Sequence, residues 1–274
     1  MMRTKRLPLT GRSAPVHLNL ARAGMPSADS IHDARKTVKA RGRQFRILRT
    51  TEVDEYESTP PAVSLRKALA RKGAPPPTAL AAAMKKKPTG DQFAGTARKA
   101  AKLSIASGQT KTFNDVKALI ESFVAEDKMI AHKPKIQTTA SSGRVKEENK
   151  NVKVKAFLYA ASHEDDNDFH LIIGRAPTKS PEMYMTMEVS GLPPANSAAI
   201  AELTAAREAF KSFFGADLPG FTYDFYDPPI PVTIAGSLFF DIGHSTGQRP
   251  GPPSLKSRMP TIWEVHPVTA IALG

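Results

Sequence analysis

The chain has 274 residues, with 39 Lys+Arg against 26 Asp+Glu, 23 prolines and no cysteine. Without cysteine there are no disulfides, thiolate zinc sites, iron–sulfur clusters or cysteine nucleophile, and a reducing, cytoplasmic setting fits; no apolar run reaches the roughly 18 residues of a membrane-spanning helix. The formal charge of +13 is unevenly placed: residues 1–150 hold 30 Lys+Arg and 13 Asp+Glu, whereas residues 151–274 hold 9 and 13, so attraction to nucleic-acid phosphates belongs to the first half.

In chain order, residues 1–40 show no sustained apolar period and are expected as a basic tail. The opening MMRTKRLPLTGRSAPVHLNLARAG lacks the continuous apolar core of a secretory signal, and Pro8 and Pro15 interrupt the amphipathic helix of a transit peptide. Residues 43–51 predict a short strand, with Phe45 and Ile47 on one face and Arg46 and Leu48 on the other. Helices are expected over 62–71 and 79–84, separated by the Pro75-Pro76-Pro77 run. Residues 1–90 thus read as a basic, largely disordered region with a short strand and short helices.

Residues 91–131 read as a small helical segment. One helix is expected over 92–103, and a clearer one over 113–128, where Phe113, Val116, Ile120, Phe123 and Val124 recur at helical spacing behind an N-cap arrangement of Thr112 and Asp115. The stretch 132–150 is rich in Lys, Ser, Thr and Glu without a period and reads as a linker.

From residue 151 the pattern changes to strands. Val152, Val154, Ala156 and Leu158 alternate with Lys153, Lys155, Phe157 and Tyr159. The acidic tip HEDDND (163–168) turns this strand back into a second over 169–173. Met183, Met185, Met187 and Val189 alternate with Tyr184, Thr186 and Glu188 in a third, the methionines facing the core. A helix runs from a cap at Asn196 to Phe214, ended by Gly215. A loop with Tyr223, Phe225 and Tyr226 leads to a fourth strand over 232–241, and a Gly/Pro-rich excursion (244–260) precedes a fifth over 261–273. The order β-β-β-α-β-β over 151–274 is that of an OB-like five-stranded β-barrel, and other small α+β domains share it. The expected whole is α+β: this barrel behind a basic, partly disordered, partly helical N-terminal half.

Three segments collect acids and histidines: Glu164, Asp165, Asp166, Asp168 and His170; Asp241 with His244; and Glu264 with His266. In an OB barrel the loops joining strands one and two, and four and five, flank one ligand-binding face, so the three are expected to converge there. Carboxylates with imidazoles suit a divalent cation and can activate a water, and a His–Asp set can act as general base. The candidate metal ligands are Glu164, Asp168, His170, Asp241, His244 and His266. The candidate catalytic residues are His170, Asp241, His244, Glu264 and His266. Plainer readings stand beside these: a solvated acidic turn, a hydrogen-bonded structural His170, and polar pairs that pin a loop.

The combination EDDNDFHLIIG, VTIAGSLFFDIGH and WEVHPVTAI resembles a group of bacterial hypothetical proteins with an E-x-D-x-D-[FY]-H-L hairpin, a G-x-x-[FY]-[FY]-D-x-x-H strand and a [WE]-x-H-P-[VI] ending. The resemblance covers residues 151–274 and brings no established activity. It implies that Glu164, Asp168, His170, Asp241, His244, Glu264 and His266 are motif positions.

Three functions compete. The first is a nucleic-acid-associated protein: Arg41, Arg43, Arg46, Arg49, Lys85, Lys86 and Lys87 would contact phosphates of DNA or RNA, with Tyr159 and Tyr184 stacking bases on the barrel. The second is a metal-dependent hydrolase, such as a phosphodiesterase, using a divalent cation held by the acid/histidine cluster. The third is an interaction module with an acidic protein partner.

Overall fold

A computed structural model describes residues 24–54, 90–246 and 249–274. The fold is α+β, dominated by one eight-stranded sheet with few helices. Its strands are β1 (Ile31–Ala40), β2 (Arg43–Thr50), β3 (Thr110–Phe113), β4 (Asn151–His163), β5 (Phe169–Gly174), β6 (Tyr184–Val189), β7 (Asp224–Phe240) and β8 (Trp263–Leu273). The α-helices are α1 (Lys99–Lys102), α2 (Val116–Ile120), α3 (Glu126–Ile130) and α4 (Ile200–Phe214).

The strand order is β1-β2-β7-β8-β6-β5-β4-β3, with a further pairing between β7 and β4. That pairing gives each of β4, β5, β6, β8 and β7 two partners among the other four, and β6 runs parallel to β8. Inside this ring lie Val154, Leu158, Leu171, Ile173, Met185, Met187, Val265 and Trp263, with Phe210 and Phe214 of α4 packed against them. Gly215, at φ 57, ends α4.

The first half is less separate than its composition implies, because β1, β2 and β3 all join the sheet. β1 falls within residues read as tail. It is a polar edge strand with only Val38 buried, so its order comes from backbone pairing with β2 rather than from an apolar face. Arg41 (φ 45) and Gly42 (φ 75) form the two-residue turn joining them. Phe45 and Ile47 of β2 enter the main core while Leu48 enters a second cluster on the other face.

The helix expected over 113–128 is instead the end of β3 followed by α2 and α3. Asp115 caps α2, its carboxylate accepting from the Lys117 amide at 2.8 Å. Between the helices, Phe123 stacks on Trp263 at 5.5 Å and the Trp263 indole donates to the Val124 carbonyl at 2.9 Å, so tertiary contacts take the groups that would continue the helix. Of the helix expected over 92–103 only α1 is present.

Residues 132–150, expected as a linker, are packed. Ile136 is buried, and a buried Glu148 takes a two-pronged contact from Arg98, 2.7 Å on each oxygen. Arg144 donates to the carbonyls of Ala101, Ser104 and His266. Charged side chains here satisfy buried backbone acceptors, which a polar composition does not reveal. β7 likewise begins at Asp224 rather than 232, because Phe225 and Tyr226 pair with Leu48 and Ile47 of β2. The expected helices over 62–71 and 79–84 lie outside the described residues.

Candidate metal centre

Alternation decides which side chains meet. Along β5, Phe169, Leu171 and Ile173 point into the ring, which turns Asp168, His170 and Ile172 to its outer face. Along β6, Met185, Met187 and Val189 point inward, leaving Tyr184, Thr186 and Glu188 outward. Along β8, Trp263 and Val265 point inward and Glu264 and His266 outward. His170 and Glu188 are direct cross-strand neighbours, so the acids and histidines of three strands share one patch.

The hairpin tip that feeds Asp168 into this patch is built rather than solvated. Asn167 takes left-handed backbone (φ 77), and its amide donates to the Gly90 and Gln92 carbonyls at 3.1 and 2.9 Å. Arg207 of α4 donates to the Asn167 carbonyl at 2.9 Å and to its side-chain oxygen at 3.1 Å. Asp168 is thereby fixed, with one oxygen accepting from the Gly191 amide at 2.6 Å.

Other chain segments roof the outer face. Asp54 accepts from the Gly251 amide at 2.6 Å and Glu52 from Ser254, which ties residues before β3 to the excursion before β8. Phe93 crosses Gly191 so closely that a Cβ there would lie 2.7 Å from the Phe93 Cα; only glycine permits that approach. Lys102, from α1, reaches in to 3.5 Å from both Asp166 and Glu188.

Under this roof Asp168, His170, Glu188, Glu264 and His266 are buried, none more than 4% exposed. Their contacts form a chain. His170 Nδ1 lies against Glu164, 3.2 Å from the Tyr223 hydroxyl and 4.0 Å from Asp54. His266 Nδ1 lies against Glu188 and 3.8 Å from Glu264, and its Nε2 is 3.5 Å from Asp168. Six buried atoms of these residues nevertheless have no hydrogen-bond partner: Asp168 Oδ2, His170 Nε2, Glu188 Oε2, Glu264 Oε2 and both His266 nitrogens. All but His170 Nε2 face an ion-pair partner, and a buried atom left without one costs about 1–3 kcal/mol; the gathering of so many ligating groups on one patch suits a cation.

Three sets of donor atoms fall within 4.8 Å of one another: Glu164, His170 and Glu188; Asp168, Glu188 and His266; Asp241, His244 and Glu264. Glu188 belongs to the first two. Burial holds the His266 imidazole below its ordinary value, favouring the neutral form that ligates metal. Burial and then neighbouring carboxylates push Glu164, Asp168 and Glu264 well above the carboxylate range. Lys102 goes far above its usual value: burial opposes this, but Glu188, Asp166 and Asp168 outweigh it. One ammonium among so many carboxylates leaves room for further positive charge.

Of the metal and catalytic candidates, Glu164, Asp168, His170, Glu264 and His266 converge with Glu188, while Asp241 and His244 join through Glu264, with Asp241 Oδ2 3.4 Å from His244 Nε2. Glu188, Lys102 and Tyr223 were not picked out by sequence. Glu188 had a signal, as a lone charge in the apolar strand MYMTMEV; Lys102 had none.

The nucleic-acid candidates divide differently. Tyr159 and Tyr184 are buried edge-to-face at 4.9 Å, their hydroxyls donating to the Arg175 carbonyl and to Glu182, which closes them to base stacking. Arg49 is held by Asp217 and Asp224. Arg41 and Arg43 are exposed and Arg46 half-buried, and Lys85, Lys86 and Lys87 lie outside the described residues. No family model, curated protein or solved structure matches the chain.

Proposed function

We propose that this protein is a divalent-cation metalloprotein whose ions sit on the outer ligand face of an OB-like five-stranded barrel formed by β4, β5, β6, β7 and β8. The single observation that carries the reading is the clustering of mostly buried carboxylate and imidazole atoms, Glu164, His170 and Glu188 in one set and Asp168, Glu188 and His266 in another, each set within 4.8 Å. Two cations would have Glu188 in common, one held with Glu164 and His170 and the other with Asp168 and His266. Each set pairs two carboxylates with one imidazole, which suits Mn²⁺ or another borderline first-row dication better than Mg²⁺. The barrel reading draws on the ring of pairings, the parallel β6–β8 contact and the position of α4 between β6 and β7. The motif resemblance to bacterial hypothetical proteins belongs to the same proposal, since four of its motif positions, Glu164, Asp168, His170 and His266, are among these ligands while Glu188 is not.

The test is metal analysis of the full-length protein after chelator treatment and Mn²⁺ titration. Two bound Mn²⁺ per chain and a raised melting temperature support the reading. Less than a tenth of an equivalent, with no thermal shift, overturns it.

A metal-dependent hydrolase is the second reading, favoured by one observation: Asp241 and His244 keep 23% and 12% of their side-chain surface exposed beside the buried Glu264. A cation at that outer set would have solvent on one side, the open position that hydrolysis requires. Phosphate-diester cleavage that needs Mn²⁺ and is lost in His244→Ala would establish it. The nucleic-acid reading draws on the basic first half, and salt-sensitive binding lost on deleting residues 1–23 and 55–89 would support it.

A further inference from the structure

The opposite end of the strand ring carries a different chemistry. A cavity of about 350 Å³ opens there between the outward faces of β4 and β7, the C-terminus of β8 and the loops bearing Arg41 and Lys179. In β4 the side chains of Lys155 and Phe157 alternate outward with buried Ala156 between them. Their cross-strand partners on β7 are Thr233 and Pro231. Thr233 in turn pairs with Ala272. The floor is therefore small or apolar, and the rim is cationic: Arg41, Lys155, Arg175 and Lys179.

The cations are not evenly committed. The one acidic side chain in the wall, Asp115, is engaged by Arg175 at 2.9 Å and by the Lys117 amide, with Lys179 also acting on it at longer range. Arg41, Lys155 and Lys179 make no ion pair or side-chain hydrogen bond among the described residues, and all three are exposed. Three like charges around one concavity repel each other unless an anion sits between them. Part of the negative charge of residues 151–274 also lies away from this surface. Four of its acids, Asp168, Glu188, Asp224 and Glu264, are buried, three of them in the metal centre at the other ends of β5, β6 and β8.

We propose that this cavity is a binding site for a nucleoside phosphate, its phosphate held by Arg41, Lys155 and Lys179 and its base laid on Phe157 and Pro231. Volume and lining both limit the ligand. About 350 Å³ is at the small end of ligand sites, the size of one nucleotide. A bare phosphate leaves Phe157 and Pro231 without a role, whereas a base covers them by stacking. Free nucleotides and single-stranded nucleic acid present the same unit. The site is separate from the metal centre and does not depend on it.

The test is calorimetric titration of the full-length protein with AMP, a short oligothymidylate and inorganic phosphate. Lys155→Ala/Lys179→Ala, a pair of exposed residues whose loss leaves the melting temperature unchanged, weakens AMP binding by at least about tenfold. Phe157→Ala weakens AMP by about tenfold and leaves phosphate unaffected. Lys85→Ala/Lys86→Ala/Lys87→Ala leaves AMP binding unaltered, which separates the cavity from general attraction by the basic half. An oligothymidylate that binds tighter than AMP and competes with it identifies a strand as the source; equal affinities identify a free nucleotide. No saturable AMP or oligothymidylate binding, affinities unmoved by Lys155→Ala/Lys179→Ala, or inorganic phosphate matching AMP overturns the proposal.

Discussion

His266 of β8 and Glu188 of β6 meet on the outer face of the sheet, imidazole Nδ1 against carboxylate Oε2; burial opposes the charge on Glu188, but His266 and Lys102 outweigh it and hold the carboxyl well below its ordinary value. Both are buried, and each also faces a second donor set: His266 through Nε2 toward Asp168, Glu188 through its place beside Glu164 and His170. Glu188 is thus the carboxylate that the two inner donor sets have in common, and the first prediction follows from that sharing.

Glu188→Gln removes the charge common to both inner cation sets. Mn²⁺ content is expected to fall from two per chain to well below one, with loss of the Mn²⁺-induced thermal shift, which at about 100 times Kd corresponds to roughly 2.7 kcal/mol per ion. Glu264→Gln, a change in the outer set that reaches an inner one only through His266 at 3.8 Å, retains the ion at Glu164 and His170. Metal analysis with paramagnetic resonance measures both, and equal loss in the two variants would refute the sharing.

Cation uptake releases protons. Glu164, Asp168 and Glu264 are pushed well above the carboxylate range in the absence of an ion, burial being the larger cause, so a dication must displace protons to bind them. Mn²⁺ affinity is therefore expected to rise with pH, and the heat of binding to change with the ionisation enthalpy of the buffer. An affinity flat between pH 5 and 8 contradicts this.

Asp224 gives a separate pH dependence. Burial raises its carboxyl to about 7, against the pull of Arg49 at 3.3 Å. An acid whose folded value is raised is most stabilising below its ordinary value near 3.8. Stability then declines as pH rises from there to about 7, by at most about 1.4 kcal/mol per unit, and stays lowered above. Asp224→Asn is expected to flatten this segment of the stability–pH curve and to melt higher than the parent at pH 8. Denaturant melts of both proteins across that range decide it.

The Arg98–Glu148 pair is buried and bidentate at 2.7 Å, and Glu148 also accepts from the Phe240 amide at 2.9 Å. Glu148→Ala strands a buried guanidinium and is expected to cost about 3–5 kcal/mol. The double change Arg98→Met/Glu148→Leu removes both charges and costs less than the single one. Chemical denaturation of the three proteins measures the difference.

Much of the centre can be read directly from the chain. Spacing by two puts Asp168 with His170 and Glu264 with His266 on common faces, because side chains of a strand alternate. The methionines of β6 mark its inward face by the same rule, and Glu188 is then the outward charge beside them. What periodicity does not state is whether an outward face meets water. Here it does not: residues 52–54, 93, 102 and 251–254 cover it, held by carboxylate-to-amide hydrogen bonds, one close backbone approach and an ion pair between positions far apart in sequence. The same long-range packing closes Tyr159 and Tyr184 to bases, recruits Lys102, draws β1 and residues 132–150 into order, and sets the fate of the charge balance by burying acids. Local alternation determined which residues could share a face; only tertiary packing decided which faces were dry, and desolvation makes that difference chemical.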